Sequence, residues 1–203
     1  MPARLQTLGH LRLLVEGGNA NGFPEKAPLI LCYLLTRGIS EMPRSDAANL
    51  FWGDANTSAA FTNLRQTVAR TQKRQRELDR TYLIFTDTTI ALGPEPIESD
   101  VEQIRDGASL NLLAGLLTDD FLKHVKPGNR ALTTWIVLQR TAHTALLRST
   151  LLNGDASEGT RQARSAAALR LLESSPNDDD VRAVLPGRPV ASANLMTLEP
   201  LVR

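Results

Sequence analysis

The chain is 203 residues long with a formal net charge of +1, so it is neither a uniformly basic nucleic-acid coat nor an acidic tail. Hydrophobic content of 42% and charged content of 22% suit a globular protein that buries a core, and the length allows one large or two small domains. One cysteine excludes an intrachain disulfide, no apolar run reaches the roughly 20 residues needed to span a bilayer, and no secretory leader pattern opens the chain, so a cytoplasmic protein with no membrane partner is expected.

In chain order, residues 5–15 alternate imperfectly and stop at Gly17-Gly18, which predicts one or two short strands. Residues 26–36 are apolar on most faces and predict a buried helix closed by Gly38, with Cys32 as a core thiol. Pro43 predicts the start of a second helix over 44–52, because the first N–H groups of a helix lack partners in any case. A third helix starts near Thr57 or Ser58, either of which can cap it, and runs to Leu78. Helical spacing puts Ala60, Leu64, Val68 and Leu78 on one stripe, with Thr71 and Gln75 beside them. Thr62, Arg65, Gln66, Ala69, Arg70, Lys73 and Arg76 fall on the opposite side. Residues 81–92 read as a hairpin turning at Asp87-Thr88 and ended by Gly93-Pro94.

Pro94 and Pro96 mark the expected domain boundary. Ser99 and Glu102 then have the spacing of a capping box, which starts a helix at Asp100. Helices are expected over 100–106, 110–117, 130–152, 157–174 and 178–185, punctuated by Gly154 and Pro176, with a mobile tail over 186–203. Trp52 and Trp135 read as core anchors, and Asp178-Asp179-Asp180 as acids favoured at a helix start.

The order of helix, turn, basic helix and hairpin is that of a winged helix-turn-helix. The charge distribution agrees. Residues 59–80 hold six basic and two acidic side chains, whereas 93–120 hold one basic and seven acidic. A basic patch beside an acidic segment concentrates attraction for a polyanion on one surface. The DNA-binding candidates are therefore Thr62, Arg65, Gln66, Arg70, Lys73, Arg74, Arg76 and, in the hairpin, Thr88. Guanidinium bonds guanine O6 and N7 together, which selects Arg70 for direct readout. Gln66 suits adenine, and Thr62 a phosphate or a thymine methyl. Arg65 and Arg76 flank this face and suit phosphates, while Thr86, Thr88 and Thr89 offer only uncharged hydroxyls. The competing account of the basic helix is an ordinary solvated face.

Nothing in the sequence signals an enzyme. His10, His124 and His143 lack metal-ligand spacing, no Walker or nucleophile-elbow pattern occurs, and no cofactor or metal is expected.

Residues 52–70, WGDANTSAAFTNLRQTVAR, resemble the antibiotic-regulator (SARP-type) branch of OmpR-like winged-helix activators. Trp52, Asp54, Asn63, Leu64, Arg65, Gln66 and Arg70 stand at that family's positions, and Arg70 matches a base-contacting one. LGHLRL (8–13) resembles the family's first strands. Asp100-Val101, LTDDFLKHV (117–125), Trp135 with Arg140, and 171–176 are similar to its bacterial transcriptional activator domain, an all-helical module like tetratricopeptide repeats (TPR). The resemblance implies a mainly α protein: an α+β winged helix-turn-helix over 1–95 and a TPR-like helical domain over 97–185. It implies a transcriptional regulator, an activator, with double-stranded DNA as partner. The helical domain is then for homodimerisation or for contact with another protein such as RNA polymerase. The chain departs from the family at Thr71-Gln72-Lys73, where the usual reading is Leu-Arg-Lys, and in an uncharged wing without the usual Gly-Tyr pair. Those departures support a rival: a winged-helix and helical adaptor that binds proteins and does not read DNA.

Overall fold

The computed structural model describes residues 2–15, 18–19, 22–53, 57–105, 109–154 and 159–185. In chain order the described residues form β1 (Ala3–Gln6), β2 (Arg12–Val15), β3 (Gly18–Asn19), α1 (Lys26–Arg37), β4 (Glu41–Pro43), α2 (Arg44–Trp52) and α3 (Thr57–Leu78). Then come β5 (Leu83–Phe85), β6 (Thr89–Leu92), β7 (Ile97–Ser99), α4 (Asp100–Arg105), α5 (Leu110–Leu116), α6 (Arg130–Asn153), α7 (Arg161–Ser174) and α8 (Asp179–Ala183). The protein is mostly helical, with one sheet ordered β3-β2-β1-β7 and another ordered β4-β6-β5. Asp106, the residues just before Arg161 that were expected to be helical (157–158), and the tail over 186–203 lie outside the described residues.

The local rules account for most element ends. α1 buries Ala27, Leu29, Ile30, Leu31, Cys32 and Leu34, and stops where Gly38 takes a left-handed φ of 62°. There Gly38 N–H bonds the Leu35 carbonyl and Ile39 N–H the Leu34 carbonyl, a Schellman closure that glycine adopts without Cβ strain. Cys32 is fully buried beside Thr36, and burial pushes its thiol pKa up, so it is a core residue and not a nucleophile. Glu102 N–H donates to Ser99 Oγ at 3.2 Å, and the Ser99 hydroxyl donates to the Glu102 carboxylate at 3.0 Å. The capping box thus forms, with its return arm on the hydroxyl and not on the backbone. α7 begins at Arg161, later than the pattern suggests, because Thr160 caps it by accepting from Ala163 N–H.

Three strands go beyond the expectations, and all are short. β3 pairs antiparallel with β2, Leu14 opposite Asn19, beyond the point where the strand region is expected to stop. β4 pairs antiparallel with β6, Met42 opposite Ile90, so Pro43 ends a strand before α2 begins. β4 lies at the edge of its sheet, where proline's missing N–H costs little. β7 pairs parallel with β1, Ala3 opposite Ile97 and Leu5 opposite Ser99. The prolines at 94 and 96 are therefore followed at once by chain that belongs to the N-terminal sheet.

Where β7 passes into α4, Asp100 lies buried at 4% exposure. Its carboxylate accepts from Thr7 N at 2.7 Å, Thr7 Oγ1 at 2.6 Å and Leu8 N at 3.0 Å. The next residues pair with the segment after α5. Leu122 N–H bonds the Thr7 carbonyl, Gly9 N–H the Asp120 carbonyl, and Leu8 bridges Phe121. His10 and His124 stack beside this junction with ring centroids 3.9 Å apart, a pairing invisible in the sequence.

One hydrophobic cluster spans the molecule, from Leu5, Leu31 and Phe51 to Leu132, Ile136 and Leu147. An aromatic chain runs through it. Tyr33 meets Phe51 at 6.0 Å and Trp135 at 5.1 Å, and Phe121 meets Trp135 at 5.4 Å and His143 at 5.5 Å. Trp135 is buried, while Trp52 is only partly so. Asn129 stitches the same region: Oδ1 accepts from Leu132 N to cap α6, and Nδ2 donates to the Leu50 carbonyl at the end of α2 at 2.6 Å.

α7 packs against α5 and α6, and α8 closes onto α6 and α7. Asp178 caps α8 through Val181 N–H, so the acidic run does more than complement a helix dipole. Asp178 also takes Arg148 Nε at 2.7 Å and Nη2 at 3.1 Å, and Asp180 takes Nη2 at 3.0 Å. The Arg148 hydrogen bonds hold the Asp178 carboxyl below the usual carboxylate range. No described helix is long and apolar enough to cross a membrane.

Two outcomes follow for stability. Asp100→Ala removes the acceptor of three buried backbone N–H groups, those of Thr7, Leu8 and Val101, so urea unfolding should show a loss of about 3–5 kcal/mol. His143 is buried, and burial pushes its pKa below the ordinary 6.5, although the charge of Asp100 opposes this. Below that value the unfolded chain takes up the proton more readily than the folded one, so acid favours unfolding. The midpoint of thermal unfolding should fall between about pH 7 and pH 5, and His143→Leu should flatten that slope.

Candidate nucleic-acid interface

α2 and α3 are consecutive helices in contact, joined by a short link across residues 53–56. α3 is 22 residues long, about 33 Å at the usual helical rise, and carries its two characters on opposite sides. Ala60, Leu64, Thr67, Val68, Thr71 and Gln75 are buried. Leu78, expected on that stripe, is half-buried. The polar members of the stripe satisfy themselves. Thr71 is fully buried and its hydroxyl donates to the Thr67 carbonyl at 2.7 Å, so threonine fits where the resembling family carries leucine.

Gln75 fixes the far end of the helix. Its Oε1 accepts from Tyr82 N at 3.0 Å and Leu83 N at 2.8 Å, and its Nε2 donates to the Leu83 carbonyl at 2.9 Å. One amide therefore clamps α3 to β5. The turn between them is a second Schellman closure. Asp79 sits at φ 51°, its N–H bonds the Arg76 carbonyl, and Arg80 N–H bonds the Gln75 carbonyl. At the base of the hairpin Gly93 N–H donates to the Tyr82 carbonyl at 2.8 Å, and a Cβ there would collide with the Thr81 carbonyl.

With the helix so anchored, Thr62, Arg65, Gln66, Arg70, Lys73 and Arg76 are all exposed on its outer side. Arg65, Arg70, Lys73 and Arg76 form no ion pair with any described residue. A row of uncommitted cations on a rigid helix is what phosphates attract, and the neutral side chains between them can meet base edges. The Thr62 hydroxyl donates to the Ser58 carbonyl at 2.9 Å, so its proton is spent, which leaves its oxygen as an acceptor and its methyl for apolar contact. Arg74 is different. It is half-buried, pairs with Glu77 at 3.0 Å and lies against Gly22, so it is a structural arginine of the helix flank.

The hairpin tip uses its hydroxyls internally. Thr86 Oγ1 accepts from Thr89 N at 2.9 Å and Thr88 N at 3.3 Å, and lies 2.8 Å from Thr89 Oγ1. Thr86 and Thr89 thus build the turn, while Thr88 is exposed. The Thr88 carbonyl accepts from Arg44 N at 2.8 Å, which ties the tip to the start of α2. That tie, made through β4, has no short-range sequence signal. Among the described residues no cluster of three His, Cys, Asp or Glu side chains is placed to hold a metal ion.

Comparison with known proteins found no matching family model, no matching curated protein and no matching solved structure.

Gln75→Leu keeps the volume but removes the amide's bonds to the Tyr82 and Leu83 N–H groups and to the Leu83 carbonyl. Chemical denaturation should show a loss of about 2–4 kcal/mol, and hydrogen exchange should speed up at Tyr82 and Leu83 before the rest of the core.

Proposed function

We propose that this protein is a sequence-specific DNA-binding transcriptional regulator that presents α3 to the major groove, with the β5–β6 hairpin as its wing. The observation that carries this reading is the exposed row of Arg65, Arg70, Lys73 and Arg76, free of ion pairs, on a helix whose other side is locked to the core. α3 supplies five cations and a single acid, Glu77, so most of its positive charge has no partner within the helix. Among the described residues only Arg74 of α3 pairs with an acid. Arg70, with Gln66 one turn before it, is assigned to base edges, and Arg65, Lys73 and Arg76 to phosphates. The resemblance to SARP-type activators points the same way and adds RNA polymerase as a candidate contact of the helical half.

The rival reading, a protein adaptor, draws on the hairpin tip. It carries no cation, and two of its three hydroxyls are committed to the turn.

Selection of bound fragments from a genomic DNA library separates the two. A repeated site should be enriched by the wild type. Arg70→Ala should lose that preference at a cost of about 1–3 kcal/mol, while Arg76→Ala should lower affinity across all sequences and reduce the salt slope by about one. Weak binding without enrichment, equal for all three proteins, would favour the adaptor.

A further inference from the structure

A cleft of about 280 Å³ lies between α6, α7 and the segment that follows α5. Leu117, Phe121, Leu147 and Leu171 give it an apolar lining, and Thr144 and Ser174 stand exposed at its rim. Its charges are committed to one another or to the backbone. Asp120 and Glu173 both pair with Arg170, whose Nε also donates to the Leu117 carbonyl at 3.3 Å. Asp119 pairs with Lys123 at 2.6 Å, and Arg140 donates to the Phe121 and Leu122 carbonyls at 2.8 and 3.0 Å. His143 is the exception. Its ring lines the cleft and is only 8% exposed, yet its Nδ1 has no partner among the described residues. Burial keeps this imidazole neutral near neutral pH, so one nitrogen carries a proton and the other a lone pair. A buried N–H without an acceptor is the rarer orphan, which puts the lone pair on Nδ1.

We propose that this cleft binds a small uncharged aromatic alcohol, its ring against Phe121 and Leu147 and its hydroxyl donating to His143. The volume lies just below the usual range of small-molecule pockets, roughly 300–1,000 Å³, and suits one or two fused rings. The lining excludes charge. Asp119, Asp120 and Glu173 stand there against Arg140 and Arg170, so an anion meets a surplus of acids. A cation would have to part Arg170 from Asp120 or Glu173, and breaking a shielded pair costs more than its formation gains. A neutral molecule disturbs none of these contacts. A hydroxyl supplies the one bond that His143 lacks, and the apolar lining receives the rest of the molecule. The wall of the cleft also holds the junction: the Asp120 carbonyl accepts from Gly9 N–H, and Phe121 bridges Leu8. The occupant therefore bears on the contact between the helical half and the N-terminal sheet, which is the position of an effector. This proposal does not rest on DNA binding.

The probe is β-naphthol, titrated calorimetrically into the full chain at neutral pH without DNA. Its methyl ether, which lacks the donor, and the charged β-naphthoate and β-naphthylmethylammonium are titrated beside it. The wild type should bind β-naphthol saturably at one site, with a Kd of about 10–500 µM. The ether should bind at least about threefold more weakly and the two ions at least about fivefold. His143→Leu should remove the difference between alcohol and ether, which a merely structural role of the histidine would leave in place. Thr144→Trp, at an exposed rim position, should block the cleft and abolish binding with an unchanged circular-dichroism spectrum. Ser174→Trp is the second blocking variant, should the first fail to fold. No saturable binding of β-naphthol up to about 2 mM overturns the proposal. So does an ether or an ion that binds the wild type as tightly as the alcohol. Binding that survives a folded blocking variant, or a preference for the alcohol that survives His143→Leu, overturns it equally.

Discussion

The architecture depends on one buried carboxylate. Asp100 lies where β7 hands over to α4, and it gathers Thr7 and Leu8 from the opposite end of the chain. A carboxylate taken out of water is costly until its oxygens are met by donors, and here three distant donors converge on it. The bonds hold the turn after β1 in the shape that the 120–124 segment then pairs with. The register of β1 against β7, the start of α4 and the docking of the helical half are thus consequences of one acid finding its donors.

A second polar clamp does for the outer face of the molecule what Asp100 does for its middle. Gln75 lies in an otherwise apolar stripe, and its amide matches the backbone of β5 as another strand would. Together with the left-handed turn at Asp79, it fixes the helix rotation that turns Arg70 and Lys73 outward. Two neutral hydrogen-bonding devices therefore decide where the charges lie. The charges themselves contribute little to stability, as exposed ions generally do.

The long elements were legible in the sequence because their periodicity is sampled many times. Over the 22 residues of α3, apolar and basic positions separate cleanly, and the exposures of Thr62, Arg65, Gln66, Arg70, Lys73 and Arg76 follow the helical spacing. Gly38 and the Ser99–Glu102 pair mark element ends through local chemistry alone. β4 and β7 were not legible, since three residues are too few to display a period and their partners are remote. Arg74 shares the spacing of its basic neighbours yet turns toward Glu77 and Gly22, a choice made by a loop brought in from before α1. The His10–His124 stack arises from the folded junction and has no trace in either local sequence. The candidate surface was thus readable where it follows a helix, and hidden where it depends on chain segments meeting in space.

The Asn129 side chain carries a mechanical consequence. One amide group terminates two helices at once, satisfying the last carbonyls of α2 while capping the first turn of α6. Moving either helix away from the other breaks this shared cap, at a cost of about 1 kcal/mol beyond the packing between them. Because α2 also packs along α3, the residue that starts α6 bears on the helix against which the basic helix rests.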